Sequence, residues 1–194
     1  MKFKNRYRIS SARAPWWDYG NTAPYFITIC TKNREYYFGD IRNGVMHLSP
    51  TGAIADVLWY QIPHHFPDWE LGRFVVMPNH IHGILIKKPA IIEMARAVET
   101  RHAVETRHAL SLPQQPLPST PGQRRFRNPG KNTLSTVVGS YKSSVTRHVR
   151  RLGFEFAWQS RFHDNIIRDA SAYDRITNYI DKNVAKWSED RFYS

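Results

Sequence analysis

The sequence predicts a single α+β domain in which helices flank a small antiparallel sheet. Strand-like and helix-like segments interleave along the 194 residues, and hairpin signals dominate over the spacing typical of parallel β-α-β units. The composition, 41% hydrophobic and 13% aromatic, supports a packed core and excludes wholesale disorder. The length fits one compact domain that carries an insertion, so residues 1–194 are treated as one domain.

Most of the predicted strands lie in the first half of the chain. They cover residues 25–31, 38–41, 45–48, 74–77 and 80–86, with shorter strand-like pieces at 154–158 and 164–168. The segment 25–31 is rich in β-branched and aromatic residues, and Asn43-Gly44 is typical of a hairpin bend. Pro78 predicts a kink between the strands at 74–77 and 80–86.

Apolar residues at helical spacing predict helices over residues 52–61, 133–152 and 171–186. Ser49 or Thr51 is suited to cap the first helix, and Ser171-Ala172-Tyr173-Asp174 fits a capping box for the last. The first helix is expected to place Ile54, Val57, Leu58 and Gln61 on one face. The second is expected to bury Leu134, Val137, Val138, Tyr141, Val145 and Val149.

Two segments differ from the rest in composition. Residues 97–102 are repeated exactly at 103–108, and prolines are frequent over the following stretch. A duplicated hexamer matches neither a helical nor a strand period, so residues 89–132 are predicted to be a low-complexity insertion outside the core. Residues 1–24 are predicted to be a basic N-terminal arm, and residues 133–194 a helical portion.

The charge balance favours a polyanionic partner. Lys and Arg number 28 against 16 Asp and Glu, a net charge of +12. Residues 1–20 hold five basic groups and one acid, residues 21–123 hold nine and eight, and residues 124–194 hold fourteen and seven. A near-neutral middle with basic ends indicates nucleic-acid binding, although the charge could also serve solubility alone.

The sequence lacks the features of disulfide-linked proteins, cysteine-based zinc proteins and membrane proteins. Cys30 is the single cysteine, so there is no disulfide framework and no cysteine-based zinc site. No run approaches the roughly 20 apolar residues of a membrane helix. We therefore expect a cytoplasmic protein without a membrane partner.

His80-Ile81-His82 is the sharpest motif. Side chains two residues apart on a strand share a face, so both imidazoles would lie side by side while Ile81 enters the core. Two neutral imidazoles form half of a site for a divalent metal, and each disfavours protonation of the other. The alternative is a pair of satisfied surface histidines.

The last helix supplies further chemistry. Tyr179 and Asn183 lie one turn apart at the edge of an apolar stripe. Three cations lie beside them: Arg175, Lys182 and Lys186. With a metal to polarise a phosphodiester, the Tyr179 oxygen could attack phosphorus and form a covalent phosphotyrosine. The alternative is an ordinary tyrosine at an amphipathic border.

Several segments resemble the REP-associated tyrosine transposases, a group within the HUH single-strand endonucleases. The matching motifs are Met77-Pro78-Asn79-His80-Ile81-His82-Gly83, the strand and turn at 25–34, Gly139-Ser140-Tyr141-Lys142-Ser143, residues 158–164, and Tyr179-Ile180-Asp181-Lys182-Asn183. The resemblance covers nearly all of the chain except residues 89–132. Val184 departs from it, since the family commonly has proline there.

The resemblance implies a DNA endonuclease and strand transferase. It implies Mg²⁺ or Mn²⁺ held by His80, His82 and Asn183, and cleavage of single-stranded or hairpin DNA through a 5′-phosphotyrosine at Tyr179. Its implied DNA is the repetitive extragenic palindrome, and its implied location is the bacterial nucleoid.

Seven cations are expected to contact DNA phosphates: Lys142, Arg147, Arg150, Arg151, Arg175, Lys182 and Lys186. We favour a monomer over a dimer. Two rival functions stay open at this point, a catalytically silent regulator that binds palindromes and a metallonuclease that cuts RNA with activated water.

Overall fold

The structure is a computed structural model and describes residues 2–3, 6–7, 17, 19, 21–89 and 132–193. Within these ranges the strands are β1 (Lys2–Phe3), β2 (Arg6–Tyr7), β3 (Ala23–Cys30), β4 (Gly39–Arg42), β5 (Val45–Leu48), β6 (Trp69–Met77), β7 (His80–Lys87) and β8 (His163–Ile166). The α-helices are α1 (Pro50–Tyr60), α2 (Ile62–His65), α3 (Leu134–Arg151) and α4 (Ala170–Lys182). Two 3₁₀ turns cover Lys32–Arg34 and Trp187–Glu189.

Four strands form the central sheet in the order β6-β7-β3-β8. Every neighbouring pair in this sheet is antiparallel, and helices flank it, which confirms the predicted α+β class. The register sets Cys30 opposite His80 and Thr28 opposite His82. Strands β4 and β5 form a separate hairpin whose bend, Asn43-Gly44, agrees with the prediction.

Strand β7 is buried on both of its faces, because helices cover the sheet from either side. Ile81 and Leu85 belong to the main core, which they share with residues of α1 and α3. Ile84 points the other way and packs with Ile180 of α4. The two-residue alternation of a strand therefore turns His80 and His82 toward the α4 side.

Helix α1 is capped by Ser49 as predicted, but its predicted face is only half right. Ser49 Oγ accepts from Gly52 N at 3.0 Å. Ile54 and Leu58 pack partly buried against the main core, whereas Val57 is 58% exposed and Gln61 is also exposed. The buried positions are Thr51, Gly52, Ala55 and Trp59. Close contact explains why small residues occupy buried positions of α1. A Cβ on Gly52, for example, would lie 2.1 Å from the Phe38 carbonyl oxygen. The helix approaches closely on this face, and Trp59 is its fully buried large side chain.

Helix α3 matches its prediction, while α4 begins and ends differently. The six positions expected to be buried in α3 are buried. Asp169, rather than Ser171, caps α4 by accepting from Ala172 N at 2.7 Å, and the helix ends at Lys182 instead of Lys186. Asn183 is its C-cap residue. Residues 154–158 form no strand, although Trp158 makes an isolated bridge to Thr31.

All but the first and last residue of the predicted insertion, residues 89–132, lie outside the described residues, as do 14 of the 24 residues of the predicted arm, residues 1–24, whose last two residues belong to β3. The division of the chain into these parts therefore stays a prediction. In the part of the chain that the structure describes, no helix has the length and apolar character needed to cross a membrane.

We predict that Gly83→Ala lowers the free energy of unfolding by about 1–3 kcal/mol, as expected for overpacking. A Cβ at this position would lie 2.4 Å from Cζ2 of Trp59, a fully buried ring stacked on Phe74. Urea denaturation followed by tryptophan fluorescence measures the change.

Gly139→Ala is the matched control, because within the described residues no atom beyond its chain neighbours and its own helix backbone lies within 4 Å of the Cβ it would add to α3. It should raise the free energy of unfolding by up to about 1 kcal/mol through helix propensity. Equal stability of Gly83→Ala and the wild type would contradict the close approach of Trp59.

Candidate active site

The two histidines of the motif lie side by side beneath α4. Their ring centroids are 4.4 Å apart, and His80 and His82 are 0% and 1% exposed. The shared face agrees with the strand alternation of the sequence. The alternative of a surface pair is wrong, because neighbouring segments cover both rings.

Burial keeps both imidazoles neutral. It lowers the pKa of His82 to about 4, and the opposing charge of Asp190 only partly offsets this effect. Burial also lowers the pKa of His80 well below its usual value of 6.5, with further lowering from His82, Arg191 and Arg34. Their nitrogen lone pairs are therefore available at neutral pH.

Each ring is anchored through one nitrogen. Nδ1 of His82 lies 2.8 Å from Thr28 Oγ1, and Nδ1 of His80 lies 2.8 Å from Asn79 Oδ1. The opposite nitrogens face the space below α4. Nε2 of His82 lies 3.1 Å from the Tyr179 hydroxyl, whereas Nε2 of His80 is buried without a hydrogen-bond partner among the described residues.

Tyr179 reaches this space from the third turn of α4. Its ring is 42% exposed and meets Phe26 edge-on, and its hydroxyl donates to Asp190 Oδ2 at 3.3 Å. Burial and then the charge of Asp190 raise the pKa of the hydroxyl, although a hydrogen bond with Asn183 lowers it. The hydroxyl is thus protonated at neutral pH and needs activation before it can act as a nucleophile.

Asp190 is the residue of the site that the sequence analysis missed. One ligand atom from each of His80, His82 and Asp190 lies within 4.8 Å of the others. Oδ1 of Asp190 accepts from Phe192 N at 2.7 Å, and its Oδ2 accepts from Asn183 Nδ2 at 3.0 Å. Asp190 follows a short 3₁₀ turn and has no periodic or motif relation to the histidines, so no sequence signal marks it.

Asn183, the amide ligand expected from the resemblance, reaches the cluster through Asp190, to whose Oδ2 its Nδ2 donates. It is 3% exposed, and its Oδ1 is buried without a hydrogen-bond partner in the described part of the chain. This oxygen and Nε2 of His80 are thus two buried acceptors without a partner among the described residues, and both belong to residues next to Asp190. A buried acceptor without a donor costs free energy, which a bound cation would offset. Imidazole, amide and carboxylate groups are all ligands for divalent metals. The residues present fit a divalent cation.

A pocket of about 370 Å³ opens beside the tyrosine. It is lined by Arg175, Asn178, Tyr179, Lys182, Asn183, Lys186, Glu189 and Asp190. Three of the seven predicted DNA-binding cations thus surround the tyrosine. The other four, Lys142, Arg147, Arg150 and Arg151, lie on α3 and do not line this pocket. Lys142 Nζ instead donates to the Gln159 carbonyl at 2.5 Å.

Comparisons with known proteins identify the fold. No protein-family model matches the chain. An uncharacterised protein of Haemophilus influenzae is 34% identical over 187 residues, which are 94% of this chain and 92% of that protein. A solved structure of a REP-associated tyrosine transposase bound to a REP hairpin has a TM-score of 0.55 and 17% identity, and the match covers 94% of this chain and 77% of that one.

The chain belongs to the family of the Haemophilus protein and has the fold of a REP-associated tyrosine transposase. The resemblance seen in the motifs is confirmed at the level of the fold. A provisionally named transposase of Deinococcus radiodurans R1 matches more weakly, with a TM-score of 0.36, 14% identity, and coverage of 90% of this chain and 97% of that one. Within this transposase fold, the motif histidines of β7 and Tyr179 of α4 face each other across the site.

We predict that Asp190→Asn weakens Mn²⁺ binding by at least about tenfold, because an anionic ligand is lost from the site. Asn183→Ala should weaken it less, since water can replace a neutral amide oxygen. Calorimetric titration of Mn²⁺ measures both variants.

Asp181→Asn serves as the control. Asp181 lies on another side of α4, where it is partly exposed and pairs with Arg73 at 3.4 Å. Its Mn²⁺ affinity should equal that of the wild type. If Asp190→Asn also bound Mn²⁺ as the wild type does, Asp190 would not be a ligand.

Proposed function

We propose that this chain is a divalent-metal-dependent DNA endonuclease and strand transferase that acts through a 5′-phosphotyrosine at Tyr179. The observation that carries the proposal is the position of the Tyr179 hydroxyl. It lies 3.1 Å from a buried imidazole and 3.3 Å from a carboxylate, at the mouth of a pocket lined by three cations. A structural tyrosine at an amphipathic border would need none of these neighbours.

Tyr179 is the proposed nucleophile. Its oxygen forms a bond to phosphorus while the bond from phosphorus to the 3′-oxygen of the upstream strand breaks. The Asp190 carboxylate, within hydrogen-bond reach, orients the hydroxyl, the phenolic proton passes to solvent water, and the departing 3′-oxygen takes up a proton from solvent. The phosphodiester energy stays in the phosphotyrosine, so a 3′-hydroxyl can later displace the tyrosine and rejoin the strand without ATP.

We propose that His80, His82 and Asp190 hold the metal and that the Asn183 oxygen, buried without a partner among the described residues, is a further ligand. A divalent cation bound there polarises the phosphate and offsets its developing charge, with Mg²⁺ or Mn²⁺ as the proposed ion. Burial of the two rings supports this role. It lowers the pKa of each imidazole, so that a nitrogen lone pair is available to the metal at neutral pH.

The cations of the pocket would bind the phosphates on either side of the cut. Arg175, Lys182 and Lys186 line the same pocket as the nucleophile, so each can neutralise backbone charge near the reacting phosphorus. The four basic residues of α3 would add contacts farther from the cut. Phosphate contacts position the DNA without specifying its sequence, so these side chains are individually replaceable.

The proposed substrate is single-stranded or hairpin DNA of repetitive extragenic palindromes. The related transposase was solved with such a hairpin, and the net charge of +12 supports a polyanionic partner. We propose that the chain acts as a monomer on nucleoid DNA in the bacterial cytoplasm. A palindrome-binding regulator is disfavoured, because binding alone would not need a cluster of two buried histidines and an aspartate beside a tyrosine hydroxyl.

We predict that cleavage of a labelled hairpin in Mn²⁺ leaves the protein joined to the 5′ end of the downstream product. The adduct should survive SDS and heat, because denaturation does not break a phosphodiester to tyrosine. Label placed downstream of the cut should migrate with the protein, and label placed upstream should not. Tyr179→Phe should bind the hairpin and form no adduct.

Tyr60→Phe and Tyr173→Phe are the controls for this assay and should still form the adduct. Tyr60 is 57% exposed and contacts Phe74, away from the pocket. An adduct with Tyr179→Phe would mean that the nucleophile is another residue. Cleavage by the wild type without any adduct would instead support the rival that uses activated water.

We also predict that His80→Ala and His82→Ala each abolish cleavage and leave hairpin binding within about threefold of the wild type. Loss of a ligand removes phosphate polarisation, whereas affinity rests on distributed backbone contacts. Gel-shift and cleavage assays on one metal-reconstituted preparation separate the two effects. Wild-type cleavage by either variant would exclude the metal role of that histidine.

A further inference from the structure

Asn79 lies in the two-residue turn between β6 and β7, directly before the first histidine of the motif. It is 0% exposed although its side chain is polar. Its backbone carbonyl accepts from both the amide nitrogen and Oγ1 of Thr31, each at 2.9 Å. The turn is therefore held in place independently of its side chain, and the amide group of Asn79 projects from a fixed point.

The orientation of that amide follows from its two partners. The Phe192 backbone oxygen can only accept a hydrogen bond, so the Asn79 group that faces it at 2.8 Å is Nδ2. Oδ1 then faces Nδ1 of His80 at 2.8 Å. Because an amide oxygen can only accept, Nδ1 of His80 must carry a proton. A neutral ring has one such proton, so Nε2 carries none, and this is the buried nitrogen that has no partner among the described residues.

We propose that Asn79 is a positioning residue: it selects the His80 tautomer whose Nε2 is free to bind a metal, and it ties the segment carrying Asp190 to β7. This role rests on the metal-dependent function proposed above. The second part follows from Phe192, whose oxygen accepts from Asn79 and whose amide nitrogen donates to Asp190 Oδ1 at 2.7 Å. The Asn79 amide thus links His80 to Asp190, through the Phe192 backbone, and these are two of the three residues of the proposed metal site.

His82 is held in a different way. Its Nδ1 lies against a threonine hydroxyl, which can donate as well as accept, and a hydrogen bond to the Ile27 backbone also acts on the ring. On His80 the constraint comes from the Asn79 side chain, whose donor side is committed to a backbone carbonyl. Outer partners of ligating histidines commonly act by fixing ring orientation and tautomer, and their loss weakens metal binding by about 10–100-fold.

The test uses the full chain with ¹⁵N-labelled histidine. Long-range ¹H–¹⁵N spectra of the metal-free protein report which nitrogen of His80 is protonated, and titration with Mn²⁺ gives the affinity. In the wild type His80 should be protonated on Nδ1. Asn79→Leu, which has a similar shape and no polar atoms, should lose that preference and weaken Mn²⁺ binding by about 10–100-fold.

Asn79→Asp separates the two parts of the role. It keeps an acceptor for His80 and removes the donor to Phe192, so His80 should stay protonated on Nδ1 while Mn²⁺ binding weakens less than in Asn79→Leu. Tyr141→Phe is the stability control, since it loses a buried hydrogen bond to the Ala55 carbonyl far from the cluster. Its melting temperature should fall with the His80 tautomer and the Mn²⁺ affinity unchanged.

A wild-type His80 protonated on Nε2 would overturn the proposal, as would Asn79→Leu with an unchanged tautomer and affinity. If Asn79→Leu did not fold, the wild-type spectrum and Asn79→Asp would decide the question. A wild type that bound no Mn²⁺ would refute the proposed function, whereas the metal-free spectra would still decide whether Asn79 selects the tautomer.

Discussion

Two imidazole rings buried side by side on strand β7 are the constraint on which the rest of the structure depends. Removing them from water is tolerable only while both stay neutral, and each must find a partner for one nitrogen. Thr28 on the neighbouring strand and Asn79 in the preceding turn provide those partners. The antiparallel register places Thr28 opposite His82, so the pairing of strands is also what anchors the site.

The two faces of the sheet carry different groups: one packs against the main core, and the other carries the candidate active site. One face packs against α1 and α3 and holds most of the large buried side chains, including Trp59 and Ile81. The other face carries the histidines and a smaller apolar cluster in which Ile84 meets Ile180 of α4. This cluster anchors α4 through its buried apolar residues. Tyr179 is the residue before Ile180, so the same packing holds its ring next to His82 while part of the ring stays exposed to solvent.

The segment after α4 completes the site from the side that the sheet leaves open. Trp187 and Phe192 pack with Cys30 and Met77, and the Phe192 ring lies 4.5 Å from that of His80. The Arg34 guanidinium lies over the Phe192 ring and donates to the Arg191 carbonyl at 2.8 Å. These contacts hold Asp190 next to the histidines, so the acid of the cluster depends on apolar packing and a cation–π contact rather than on a helix or strand.

The sequence by itself determined the features that depend on local periodicity. Alternation along a strand put His80 and His82 on one face, and helical spacing put Asn183 one turn beyond Tyr179. The fully buried positions of α1 did not follow from its apolar residues, because close approach favours small side chains, and Gly52 and Ala55 are buried while Val57 is exposed. Only the tertiary structure decided that β7 and α4 face each other, that Asp190 joins the histidines, and that Asn79 orients one of them. Those relations join residues distant in the chain, such as Asn79 and Phe192, through turns and packing that no local pattern encodes.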